Sequence, residues 1–92
     1  MLSVIIYDIV DDRRRDKVHS VLKDFGLKVQ FSAFEAHLQP RERAHLLKRV
    51  GPLLDPGVDR FAIYPVSREQ ERNICCIGRP RPEHKATAFF II

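Results

Sequence analysis

Residues 2–10, LSVIIYDIV, are apolar and β-branched along their length and read as a strand. In an extended chain Leu2, Val4 and Ile6 point one way, and Ile5, Tyr7 and Ile9 the other. Both sets are apolar, so this strand needs cover on two sides. The segment 61–66 repeats the pattern, with Phe61 and Ile63 set against Ala62, Tyr64 and Val66. A chain of 92 residues makes one small domain with a limited core. The demand for two covers is therefore the tightest constraint on its fold.

The rest of the chain supplies one cover. Asp11 or Asp12 is placed to cap a helix, because a short acidic side chain accepts the free N–H groups of a first turn. Val18, Val21, Leu22 and Phe25 follow at i, i+3, i+4 and i+7, one apolar stripe, with Gly26 as the stop. Residues 27–38, LKVQFSAFEAHL, return to strand composition and divide near Ser32-Ala33 into two strands or one bent hairpin. Pro40 suits the first turn of a second helix. Leu47, Val50 and Leu54 keep helical spacing, although Gly51-Pro52 ends the regular part. LLDPGVD is a loop, residues 59–66 and 73–78 are strands, RPRP at 79–82 breaks the chain, and 86–92 is a sixth strand.

The order β-α-β-β-α-β with extra C-terminal strands predicts a single α+β domain over 1–92. It is ferredoxin-like: an antiparallel sheet with two helices on one face. The second face is left for a second copy of the chain, most simply in a two-fold homodimer, or for the chain's own tail folded back. Segment 79–92 is the part available for exchange with the partner, by strand addition to its sheet edge.

Composition narrows the partners. At 45% hydrophobic and 30% charged residues the chain folds rather than staying disordered. No apolar run approaches the ~20 residues of a membrane span, and MLSVIIYDIV lacks the basic start of a signal peptide. The expectation is a cytoplasmic protein with no membrane partner. A formal net charge of +4 and a pI near 9.4 favour anionic partners such as nucleic acid. Cys75 and Cys76 are adjacent, match no zinc or redox spacing, and read as packing residues in a strand.

Asp8 shares a face with Val4 and Ile6 at the strand end. A buried lone carboxylate is expensive, so it sits at an open rim, caps the next turn, pairs with a nearby arginine, or binds something. Magnesium takes oxygen ligands, and one carboxylate per chain holds it weakly. In a dimer whose first strands approach the axis, two Asp8 carboxylates could share one ion. That ion could activate water against a phosphodiester. Arg13, Arg14, Arg15 and Lys17 lie in the first turns of the first helix, where cations oppose the macrodipole. Salt bridges to Asp11, Asp12 and Asp16 account for them, or phosphate does, which a guanidinium grips with two bonds. Arg41, Arg43, Lys48 and Arg49 add a second basic cluster, and Arg79, Arg81 and Lys85 a third. Doubled by symmetry, they would form a track for a nucleic-acid backbone. His19, His37, His45 and His84 form no ligand motif and read as surface or packing residues. There is no Gly-rich phosphate loop and no GxSxG, and Phe31, Phe34 and Phe61 do not spell an RNA-recognition motif.

YDIVDDRRRDKV, then FGLKVQFSAFEAHL, then DRFAIYP together resemble the CRISPR-associated protein two family, over residues 3–66. The resemblance implies a ferredoxin-like homodimer that partners the integrase in spacer acquisition. It implies a divalent metal, Mg²⁺ or another, held by the strand-end aspartate of both chains, which falls on Asp8. The family's basic helix start falls on Arg14, Arg15 and Lys17, and its Ser-x-Phe near the site on Ser32 and Phe34. Family members are described as metal-dependent endonucleases of single-stranded RNA or double-stranded DNA, and as a non-catalytic bridge between integrase dimers. Lys17 replaces an arginine found in some members, and Ala33 a usual valine. A DNA-binding scaffold without catalysis and a toxin-like ribonuclease of similar fold are the alternatives.

Overall fold

The computed structural model describes residues 1–81. Strand β1 (Leu2–Asp8) leads into helix α1 (Asp12–Leu22), then strands β2 (Leu27–Gln30) and β3 (Ala33–His37), helix α2 (Pro40–Val50) and strand β4 (Arg60–Val66). The four strands form one antiparallel sheet in the order β2-β3-β1-β4. This is the ferredoxin-like plan expected from the element order, with β1 inside the sheet, paired on both edges.

Local chemistry explains each element. Asp11 is the N-cap of α1, its carboxylate accepting from the Arg14 N–H at 3.0 Å. Gln39 and Glu42 form a capping box at the start of α2, with Pro40 in its first turn. Helix α1 ends at Leu22, four residues before Gly26, and the chain reaches Phe25 through turns whose N–H groups return to Val21 and Leu22. Gly26 has a different job from stopping the helix. A Cβ there would lie 2.2 Å from the Glu35 carbonyl oxygen and 2.7 Å from the Ala36 Cβ. The residue lets the chain pass directly against β3. The division expected near Ser32-Ala33 is a turn at Phe31-Ser32, with Ser32 in the left-handed region at φ 63°.

The core lies between the sheet and the two helices. Ile5, Tyr7 and Ile9 meet Phe34, Ala36 and Leu38 from the β3 side, Val18 and Leu22 from α1, and Leu46 and Val50 from α2. Val21 and Phe25 pack against this cluster, completing the α1 stripe. His19 sits edge-on to Phe34 at 5.3 Å and His45 edge-on to Phe25 at 5.8 Å, packing roles as expected.

The opposite face of the sheet grows barer towards the end of β1. Leu2 is buried, Val4 half-buried, Ile6 47% exposed and Asp8 exposed. On β4 the same face carries Ala62 opposite Ile6 and Tyr64 opposite Val4, the latter 53% exposed.

After β4 the expectation fails. A short helix α3 (Arg68–Arg72) starts at a Ser67–Gln70 capping box, a local signal that the sequence analysis left unread. Residues 73–78 form no strand, and Cys75 and Cys76 are exposed free thiols rather than packing residues. Apolar, β-branched composition makes a strand only where a backbone edge pairs with it, and among the described residues none does. The segment instead carries Arg81 onto the open face. Its guanidinium forks onto the Glu35 carboxylate, with Nε 3.0 Å from Oε2 and Nη2 on Oε1. Glu35 is only 6% exposed and faces the same side as Val4. The tail therefore returns over its own sheet at least as far as Arg81. The expected strand at 86–92, and all of the exchangeable segment beyond Arg81, lie outside the described residues.

Candidate metal and nucleic-acid site

Asp8 ends β1 opposite Arg60, the first residue of β4. It is exposed, and among the described residues no hydrogen bond or ion pair engages its carboxylate. It neither caps the following turn, which Asp11 does, nor pairs with an arginine. Of the readings that need no ligand, a carboxylate at an open rim is the one that holds.

The donors around it bear on a metal. Among the described residues no three His, Cys, Asp or Glu side chains gather to hold an ion. The Asp8 carboxylate is a hard oxygen ligand of the kind Mg²⁺ takes, and among the described residues it belongs to no cluster of three such ligands.

The loop after Asp8 is fixed by a residue that the sequence reading passed over. Asp59 has a side chain shielded from solvent and gathers four donors. The Val10 N–H donates to it at 3.0 Å, the Asp55 N–H at 2.9 Å, and Arg14 through Nε at 2.8 Å and Nη2 at 3.2 Å. The Arg14 hydrogen bond, then the Asp55 N–H, hold the Asp59 carboxyl well below the usual carboxylate range, and the same bond raises Arg14. The pair is 45 residues apart in sequence, so no spacing rule finds it. Only the strand register does, because Asp8 opposite Arg60 places Asp59 beside Ile9 and Val10.

This knot redistributes the basic residues. Arg14 is committed to Asp59 rather than to Asp11, Asp12 or Asp16, and is poorly placed to grip phosphate. Arg15 pairs with Asp12 at 2.8 Å and donates to the Ile9 carbonyl at 3.2 Å. Arg49 pairs with Asp24 at 3.0 Å, and Arg81 with Glu35. Arg13, Lys17 and Arg41 are exposed and Arg43 half-buried, with no carboxylate partner among the described residues. With Lys48 and Arg79, also exposed and without a carboxylate partner among the described residues, they are what remains of the expected track.

Phe34 lies on the other face of the sheet from Asp8, and Ser32 stays beside the end of β1. Phe34 is 1% exposed in the core, on the helix side of the sheet. Alternation puts it on the face that Asp8 does not share, so it supports the strands and touches nothing at the rim. The Ser32 carbonyl accepts from the Tyr7 N–H at 3.2 Å, tying the β2–β3 turn to the end of β1.

The model for the CRISPR associated protein Cas2 family matches residues 1–74. The chain belongs to the Cas2 family. It is 48% identical over 64 residues to the CRISPR-associated endoribonuclease Cas2 3 of Chloroflexus aurantiacus, covering 70% of this chain and 69% of the relative. It is 44% identical over 82 residues to the CRISPR-associated endonuclease Cas2 2 of Thermus thermophilus, covering 89% and 88%. The crystal structure of Streptococcus pyogenes Cas2 at pH 6.5 is similar with a TM-score of 0.70 at 25% identity, over 85% of this chain and 100% of that one. The Cas2 match runs through β4 and α3 and stops before Arg81, so the contact with Glu35 lies beyond it.

Proposed function

We propose that this chain acts in CRISPR adaptation as a cytoplasmic homodimer that binds nucleic acid, bridges the integrase, and hydrolyses phosphodiester bonds with a divalent metal, Mg²⁺ in the first instance. The observation that carries the hydrolytic part is the Asp8 carboxylate: exposed, unengaged among the described residues, and at the bare end of an apolar sheet face. Two copies packed through Val4, Ile6 and Tyr64 would bury that face and bring two Asp8 carboxylates to one rim. Those two carboxylates would hold the ion. Such an ion, when bound, supplies water activation and neutralises charge gathering on the scissile phosphate. The relatives named endoribonuclease and endonuclease support this chemistry and leave RNA or DNA open. No described helix is long and apolar enough to cross a membrane.

The protein's own residues divide the remaining work. Arg13, Lys17, Arg41 and Arg43 carry charge for the phosphate backbone. Arg14 and Asp59 hold the loop that follows Asp8. A second reading, a scaffold in which Asp8 has no chemical role, draws on the lack of a cluster of three metal-ligating side chains among the described residues. Asp8→Asn separates the two. Cleavage of single-stranded RNA and double-stranded DNA in Mg²⁺ should disappear, with the dimer unchanged by light scattering. Cleavage that survives in the purified variant would end the catalytic assignment. Loss of spacer acquisition with Asp8→Asn, the fold being intact, would end the pure scaffold reading.

A further inference from the structure

On the helix side of the sheet, away from Asp8, a cavity of about 260 Å³ opens between α1 and the β2–β3 turn. Arg15 and His19 line it from α1, Lys28 from β2, and Phe31 and Ser32 from the turn, with Tyr7 at its base and Asp16 at its edge. Three observations there bear on a ligand. Phe31 is 78% exposed, so its ring offers an open aromatic face beside the cavity that Arg15 and Lys28 also line. Tyr7 is 4% exposed, yet its hydroxyl makes no hydrogen bond among the described residues, and burial pushes that hydroxyl up in pKa. Lys28 holds its ammonium 5.5 Å from the Phe31 ring centre rather than on a carboxylate.

These features fit one kind of ligand. Single-stranded nucleic acid is held by an aromatic face for the base and cations for the backbone. Phe31 offers the face, and Arg15 and Lys28 the cations. The Asp12 pair of Arg15 is a surface bridge with an 86% exposed carboxylate, so phosphate can displace it at little cost. His19 is held towards its neutral form by burial and by Lys23 and Lys28, leaving a ring nitrogen able to accept. At about 260 Å³ the cavity lies near the lower end, ~300 Å³, of small-molecule sites.

We infer that this cavity is a binding site for a single unstacked nucleotide, its base against Phe31 and its phosphate towards Arg15 and Lys28. The site is separate from Asp8, and it rests on the nucleic-acid reading above. The nucleotide comes either from a frayed or single-stranded end or from a free mononucleotide.

The test uses the full chain and three probes: an eight-nucleotide single strand carrying 2-aminopurine, the matching blunt duplex, and AMP. Phe31→Ala should weaken the single strand by roughly five- to 150-fold, the loss seen when one base–aromatic stack is removed. It should abolish the change in 2-aminopurine fluorescence, and Phe31→Tyr should restore both. Duplex affinity should change less than threefold. Competition by millimolar AMP against the wild type marks a free nucleotide as sufficient. Strand binding without AMP competition assigns the site to strand ends. An unchanged single-strand affinity in Phe31→Ala, or equal losses on single strand and duplex, overturns the site while leaving the nucleic-acid reading standing. Wild-type protein that binds neither strand nor duplex overturns both.

Discussion

Gly26→Ala is a substitution for which two physical effects predict opposite signs. Gly26 does not occupy the left-handed region, so its backbone accepts alanine without strain. Restricting the unfolded chain would then stabilise the protein by about 0.4–1 kcal/mol. Against that, the new Cβ would meet the Glu35 carbonyl oxygen at 2.2 Å, the Ala36 Cβ at 2.7 Å and the Ala36 Cα at 3.0 Å. Two of these atoms are backbone of β3, which is paired to β1 and β2 and cannot swing aside as a side chain would. Relief requires the whole turn or the strand to shift, and overpacking of this kind costs about 1–3 kcal/mol. The steric effect wins, with a net loss of about 1–2 kcal/mol. At about 4–8 °C per kcal/mol for a domain of this size, the midpoint should fall by roughly 4–16 °C. Urea and thermal unfolding would be followed by circular dichroism at one fixed protein concentration, because association shifts apparent stability. A midpoint equal to or above the wild type would refute the close approach of Gly26 to β3.

Two further outcomes follow from the charged residues. Asp59→Asn should lower the unfolding midpoint at pH 7 and weaken Mg²⁺-dependent cleavage without removing Asp8. Because the folded carboxyl is held below its unfolded value, its contribution is complete above about pH 4 and fades as pH falls through the folded value. Midpoints of wild type and variant should accordingly converge below pH 4; a constant gap at all pH values would show that shape rather than charge matters there. Arg81→Ala should destabilise by roughly 1.5–3 kcal/mol, the worth of a hydrogen bond to a charged group. It should also speed proteolysis within residues 73–81, and unchanged cleavage rates would place the anchor of the tail elsewhere.

The parts of the fold that could be read in the sequence are those where local pattern and tertiary need agree. The α1 stripe, the Pro40 start of α2 and the two-faced β1 were legible because periodicity and burial point the same way. Residues 73–78 misled because β-branched composition says nothing about whether an edge is available to pair. The capping box at Ser67–Gln70 was a local signal that the sequence analysis left unread. At the site, Asp8 was legible because alternation assigns it a face. Asp59 was not, since its partners arrive through strand register across 45 residues. Phe34 was placed near the site by the family resemblance alone, and the pleat sends its side chain into the core.

Tyr7 and Asp8 are neighbours in the chain and open onto different sides of one sheet. Substitutions at the two positions are therefore free to accumulate independently, one adjusting what enters the cavity beside α1 and the other what gathers at the rim. An insertion or deletion of one residue within β1 has no such freedom. It would send the phenol to the rim and the carboxylate into the core at once. The length of this strand is consequently under tighter constraint than the identity of any residue in it.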